Sequence, residues 1–110
     1  MTAKVKEEEN YIIVTPQADT LDINTASEFR DFVQKLSFEK KAVILDLSGV
    51  NFVDSTVFVI IFLFCKKKKK KNCRIYAAGI NEQVLAVFRL VQMPRVLEIC
   101  DTVQEAVNEI

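Results

Sequence analysis

The sequence predicts an α/β fold, with residues 1–110 forming one small domain: a mostly parallel mixed sheet of four to five strands with about four helices. Three observations carry this. Ala42-Val-Ile-Leu-Asp-Leu47 is an apolar, β-branched-rich run of the kind found in a central strand covered on both faces. Around it, strand-like runs alternate with segments whose apolar residues recur at helical spacing, the pattern of βαβ units with right-handed crossovers. Ser, Thr, Asp and Asn stand where those helices would begin, since their side-chain oxygens accept the unpaired first-turn N–H groups.

In order along the chain, Lys4 to Glu8 and Tyr11 to Thr15 read as a hairpin across Glu9-Asn10, with Pro16 ending the second strand. Thr25-Ala-Ser-Glu28 has capping-box spacing. Phe29, Phe32, Val33 and Leu36 then fall on one helix face, and Phe38 to Lys41 links that helix to the central strand. After Ser48-Gly49, residues 55–71 are ambiguous by propensity, because Val57 to Phe64 is rich in strand formers and has no polar face. The Asp54-Ser55-Thr56 triplet, the lysines that follow and the need for a crossover decide for a helix. Such a helix is apolar all round its first turns, so part of its surface is left without a core to cover it. Cys73 to Ala78 is a further strand. Asn81 caps a helix bearing Val84, Val87, Phe88 and Val91, and Met93-Pro94 stops it. Val96 to Ile99 is a short strand. Thr102-Val-Gln-Glu105 repeats the capping-box pattern before a last helix lined by Val103, Ala106, Val107 and Ile110.

Composition narrows the chemistry. Half the residues are apolar and the formal charge is zero, so no global field draws the chain to nucleic acid or acidic membranes. No run approaches the roughly 20 apolar residues that span a bilayer. The N-terminal residues lack the apolar core of a secretory signal, which points to a cytoplasmic protein without membrane insertion. Cys65, Cys73 and Cys100 sit in apolar text and read as buried reduced thiols. The chain has no histidine, which removes Ser–His and Cys–His nucleophile pairs and His-containing zinc sites. Gly49 and Gly79 are its only glycines, so it holds no P-loop. No metal site and no self-contained catalysis are expected. A hydrolase using Asp54 and Ser55 would lack a histidine and a second pair of convergent carboxylates. Lys66 to Lys71 can be a solvated last helical turn, where cations suit the negative helix end, or a grip on phosphates or anionic lipid.

Asp46-Leu-Ser-Gly49, the apolar link Val50 to Val53, and Asp54-Ser-Thr-Val57 together resemble the STAS family, the sulfate-transporter and anti-sigma-factor-antagonist domains. That family carries Asp-Leu-Ser-Gly at the end of a strand and Asp-Ser-Ser-Gly at the start of a helix. Leu21-Asp22 before Asn24-Thr-Ala26 looks like the family's Leu-Asp, without its preceding Gly. Val91 to Val96 stands where the family has a Gly-Leu turn, and Asp101 to Ala106 looks like its last helix start. Two departures stand out: Val57 replaces the Gly after the hydroxyl residues, and Val59 and Leu63 replace small residues. The resemblance implies an anti-sigma-factor antagonist, a binding module and not an enzyme, with no cofactor of its own. Its partner would be an anti-sigma factor that is also a serine kinase and supplies Mg-ATP. The family's phosphorylated serine falls on Ser55, with Thr56 the weaker acceptor. A phosphatase would reset it, and no direct contact with nucleic acid is implied. Asp54 would orient the hydroxyl or the magnesium, or serve the helix N-terminus. Asp22 is a cap or turn residue, or part of a partner face with Asp54, Ser55, Thr56, Val59 and Leu63. The alternative within the family is a subunit supporting the ATPase of a lipid or solute transporter, with an apolar helix 57–64 as a permanent interface. Oligomeric state is left open.

Overall fold

Alternation along the second strand decides how the sheet is covered. A computed structural model describes residues 3–35 and 41–110. In it β1 (Ala3–Glu7) and β2 (Tyr11–Pro16) form the antiparallel hairpin, with Val5 opposite Val14. Ile12, Val14 and Pro16 are buried, while Tyr11, Ile13 and Thr15 between them are half-buried on the other face. Then follow β3 (Thr20–Leu21), α1 (Ile23–Lys35), β4 (Ala42–Asp46), β5 (Phe52–Val53) and α2 (Ser55–Lys70). β6 (Ile75–Ala78), α3 (Glu82–Leu90), a 3₁₀ turn (Met93–Arg95), β7 (Glu98–Cys100) and α4 (Val103–Asn108) complete the chain. The main sheet has five strands in the order β1-β2-β4-β6-β7, antiparallel at β1–β2 and parallel elsewhere.

The two faces of the sheet are covered unequally. Val43, Leu45, Ile75 and Ala77 meet α1, α2 and α3 through Phe29, Val33, Phe58, Ile61 and Phe88. Phe58 and Phe88 pack edge to face with ring centroids 5.1 Å apart, which ties α2 to α3. The opposite face, built from Ile44, Tyr76, Ala78 and Cys100, is covered by Ala106 of the short α4. All three cysteines are buried and none is in a disulfide. Burial pushes the Cys65 thiol up to about 12. Burial, and then the hydrogen bond to Glu109, push Cys100 up to about 11.

Several boundaries differ from the sequence reading. The first helix begins at Ile23, not after Thr25. Asp22 is its cap, accepting from Asn24 N at 2.9 Å, and Thr25 Oγ1 reaches back to accept from Asp22 N at 3.0 Å. The expected box is thus shifted by three residues, with Thr25 in the reaching-back role. Leu36 and Phe38 to Lys40 lie outside the described residues. The strand expected at Cys73–Ala78 begins at Ile75. The strand expected at Val96–Ile99 is Glu98–Cys100, because the turn led by Pro94 continues further: Val96 N and Leu97 N both donate to Met93 O. At α4, Thr102 caps Glu105 N as expected, but Glu105 returns to Asp101 N at 3.1 Å, one residue earlier. The β3–β5 pair, with Thr20 beside Phe52 and Leu21 beside Val53, was not anticipated.

Candidate functional site

The loops at the C-terminal ends of the parallel strands meet at the start of α2. Asn51 N donates to Asp19 O at 2.7 Å and Asp54 N to Leu21 O at 3.0 Å, so segments 19–22 and 51–54 are zipped side by side. Asn81 holds the same link from the other flank, its amide donating to Val50 O at 3.3 Å and Asn51 O at 3.2 Å. That side chain also caps α3 by accepting from Val84 N at 2.8 Å.

Asp54 is the junction of the site. Its Oδ1 accepts from Val57 N at 3.2 Å and caps α2, while its Oδ2 accepts from Ile23 N at 2.8 Å at the start of α1. One carboxylate therefore serves two helix N-termini, where negative charge is favoured. Of the capping types in the Asp54-Ser55-Thr56 triplet, Asp54 is therefore the one that caps α2. Ser55 is the first residue of α2, exposed, and its hydroxyl enters no hydrogen bond among the described residues. Thr56, one residue on, is also exposed. Asp22 is half-buried and capping α1. Asp22, Asp54, Ser55 and Thr56 are thus brought together, and the two acids have structural duties. Residues 46–65 contain no Lys or Arg, so a charged group added at Ser55 would meet carboxylates and a helix N-terminus but no side-chain cation from its own segment.

Val57, Val59 and Leu63 separate. Val57 is fully buried under α2 and takes no part in a docking face, because the position after Thr56 points into the sheet. Val59 and Leu63 are 56% and 58% exposed. Val59 lines a groove of about 570 Å³ between α2 and α3, walled also by Phe52, Phe62, Val87 and Val91, with Asp54 and Ser55 at one end, whereas Leu63 borders a separate cleft with Arg30, Val33 and Lys67. Sequence reasoning placed Val87 and Val91 with the core face of α3 and passed over Phe52. The available signal was that Val84, Phe88 and Val87, Val91 form two adjacent i, i+4 pairs, a wider apolar face than one sheet contact needs. Leu63→Ala and Val59→Ala should each change unfolding free energy by less than about 0.5 kcal/mol. Chemical denaturation checks this, and a loss above about 2 kcal/mol, the range of buried Leu→Ala changes, would place these side chains in the core.

The STAS domain profile matches residues 2–106. The chain belongs to the STAS-domain family. Among solved structures, this STAS domain is similar to a candidate anti-sigma factor antagonist from Thermotoga maritima, at 25% identity and a TM-score of 0.84 over 98% of this chain and 93% of that one. It is also similar to part of the mouse solute carrier 26 family member A9 anion transporter, at 25% identity and a TM-score of 0.74 over 93% of this chain but 18% of the transporter. The fold is shared with the Bacillus anti-sigma factor antagonist SpoIIAA. Its unphosphorylated form aligns at 12% identity and a TM-score of 0.73, over 98% of this chain and 96% of that one. Its phosphorylated form aligns at 13% and 0.72, over 98% of both chains.

Proposed function

We propose that this STAS domain is an anti-sigma-factor antagonist acting in the cytoplasm, where its unmodified form binds an anti-sigma factor that is also a serine kinase. Binding releases the sigma factor for transcription. The kinase brings Mg-ATP and the base. Ser55 Oγ attacks the γ-phosphorus, the bond from phosphorus to the β–γ bridging oxygen breaks, ADP leaves, and the hydroxyl proton passes to the partner's base. A phosphatase hydrolyses the ester to reset the cycle. The observation that carries this reading is the Ser55 hydroxyl itself: exposed, unbonded, and at the end of an apolar groove with no cation in its segment. Phosphate adds about −1.5 to −2 charges. The start of α2 can tolerate that charge, whereas a partner seated on Phe52, Val59 and Asp54 would meet it unscreened.

Incubation with the cognate kinase and Mg-ATP should place phosphate on Ser55, read by phosphopeptide mapping. Ser55→Ala should abolish labelling and keep partner binding. Because Asp54 is the cap, this variant should unfold within about 0.5 kcal/mol of wild type. Ser55→Asp should stay folded and lose affinity for the partner. Label on Thr56 or Thr20 with Ser55 untouched would sink the assignment.

A second reading is a STAS subunit that supports the ATPase of a lipid or solute transporter through the apolar flank of α2; the similarity to part of the mouse anion transporter favours a transporter role of this kind. Equal affinity of wild type and folded Ser55→Asp for the native partner would favour it.

A further inference from the structure

The C-terminal half of α2 carries more charge than the fold uses: Lys69 Nζ donates to Arg95 O at 2.9 Å and Lys68 lies over the Phe64 ring, while the side chains of Lys66, Lys67, Lys70 and Lys71 form no hydrogen bond or ion pair among the described residues. Lys66 to Lys71 run without interruption, yet the helix end is closed by its backbone. Asn72 N donates to Lys69 O and Cys73 N to Lys68 O, both at 3.0 Å, with Asn72 in the left-handed region at φ 61°. The ion pairs formed among the described residues occupy Lys6, Arg30, Lys41 and Arg74. Lys66, Lys67, Lys69, Lys70 and Lys71 have no acidic partner there. Lys66 with Lys70, and Lys67 with Lys71, are like charges four apart on one helix and repel. Burial first, and then Lys71, push the Lys68 ammonium below its usual value. A segment so arranged is relieved by an external anion.

Its geometry says which kind. Val59, Leu63, Lys66 and Lys70 follow i, i+4, i+7, i+11 spacing and so form one line on the exposed side of α2. The line is apolar in its first half and basic in its second, starting about 6 Å from Ser55 at 1.5 Å per residue. A nucleic acid would use the lysines and leave Val59 and Leu63 in water. A lipid surface uses both: ammonium groups meet phosphate headgroups, and the branched side chains enter the acyl boundary. Among the described residues no helix is long and apolar enough to cross a membrane, so the contact is peripheral.

We propose that the exposed stripe of α2 docks this domain on an anionic phospholipid surface, with Val59 and Leu63 at the acyl boundary and Lys66, Lys67 and Lys70 on the headgroups. Val59 also lines the partner face proposed above, so a docked domain is withheld from that partner. The lipid contact itself needs neither partner nor phosphate.

The full chain should sediment with vesicles of equal parts phosphatidylcholine and phosphatidylserine, not with phosphatidylcholine alone, and high salt should release it. At about fivefold per lysine, Lys66→Gln with Lys70→Gln should weaken binding about 30-fold. Leu63→Ser with Val59→Ser should weaken it several-fold while circular dichroism stays that of wild type. Absence of binding to the anionic vesicles, or equal binding to both compositions, would overturn the proposal. So would an anionic-vesicle affinity indifferent to the apolar substitutions, or binding of a single-stranded oligonucleotide where vesicles fail.

Discussion

Asp54→Ala is expected to destabilise the domain by about 1–4 kcal/mol, because α2 loses its cap and the first N–H of α1 loses its acceptor, each worth about 0.5–2 kcal/mol. The expectation follows from the two oxygens, which serve Val57 N in α2 and Ile23 N in α1. A surface aspartate without such duties would cost about 0.5 kcal/mol or less. Asp54→Asn should fall between, since an amide keeps one acceptor oxygen and its NH₂ cannot accept from the second N–H. Urea unfolding gives the difference as a shift in midpoint at constant slope. Amide exchange should quicken at Ile23 and Val57 together. Loss of protection at Val57 alone would show that the bond to α1 carries no energy.

Gly79→Ala should cost about 2–5 kcal/mol, of which about 1–2 is the left-handed backbone and the remainder overpacking. Gly79 has φ +71°, and a Cβ there would stand 2.9 Å from Ser48 Cβ and 3.2 Å from Ser48 Cα. Neither neighbour is the far end of a flexible chain, so the Ser48-Gly49 turn itself would have to move. That turn leads directly into the segment that Asn81 and Asp19 hold beside Ser55. Gly49→Ala is the control: a Cβ there meets nothing within 4 Å, and the change should be felt at about 0.5 kcal/mol or less. Thermal melting should separate the two by on the order of 10 °C. Similar melting of both variants would refute the crowding at Ser48.

The layer order was legible because short strand-like runs alternate with α1, α3 and α4, whose apolar residues recur at helical spacing. The starts of helices were less so. Asp22 and Thr25 are both capping types three residues apart, and either could lead by local pattern. The choice falls to Asp22 because Asp54, distant in sequence, bonds the amide next to it. Similarly, Val57 to Phe64 is rich in strand formers. It is helical because Asp54 caps it and because Val57, Phe58, Ile61 and Cys65 then fill the space over the sheet. Two-residue strands such as β3 and β5 have no period to read. The groove beside Ser55 was also hidden, since which of Phe52, Val87 and Val91 faces outward depends on how α3 lies against α2. Ser55 was singled out from its motif and Asp54 from its residue type, but the capping of α2 by Asp54 and the exposure of Ser55 are matters of three dimensions.

The buried cysteines make the domain its own stopwatch. A thiol pushed up to about 12 and sealed between α2 and the sheet meets an alkylating reagent only when that layer opens. Cys65 therefore times the departure of α2, while Cys100 keeps 9% exposure beside Glu105 and Glu109 on the opposite face and serves as the more accessible reference. Mass-resolved labelling of the native sequence, with the Cys65 peptide followed by itself, would give that opening rate, and no probe would have to be engineered into the fold.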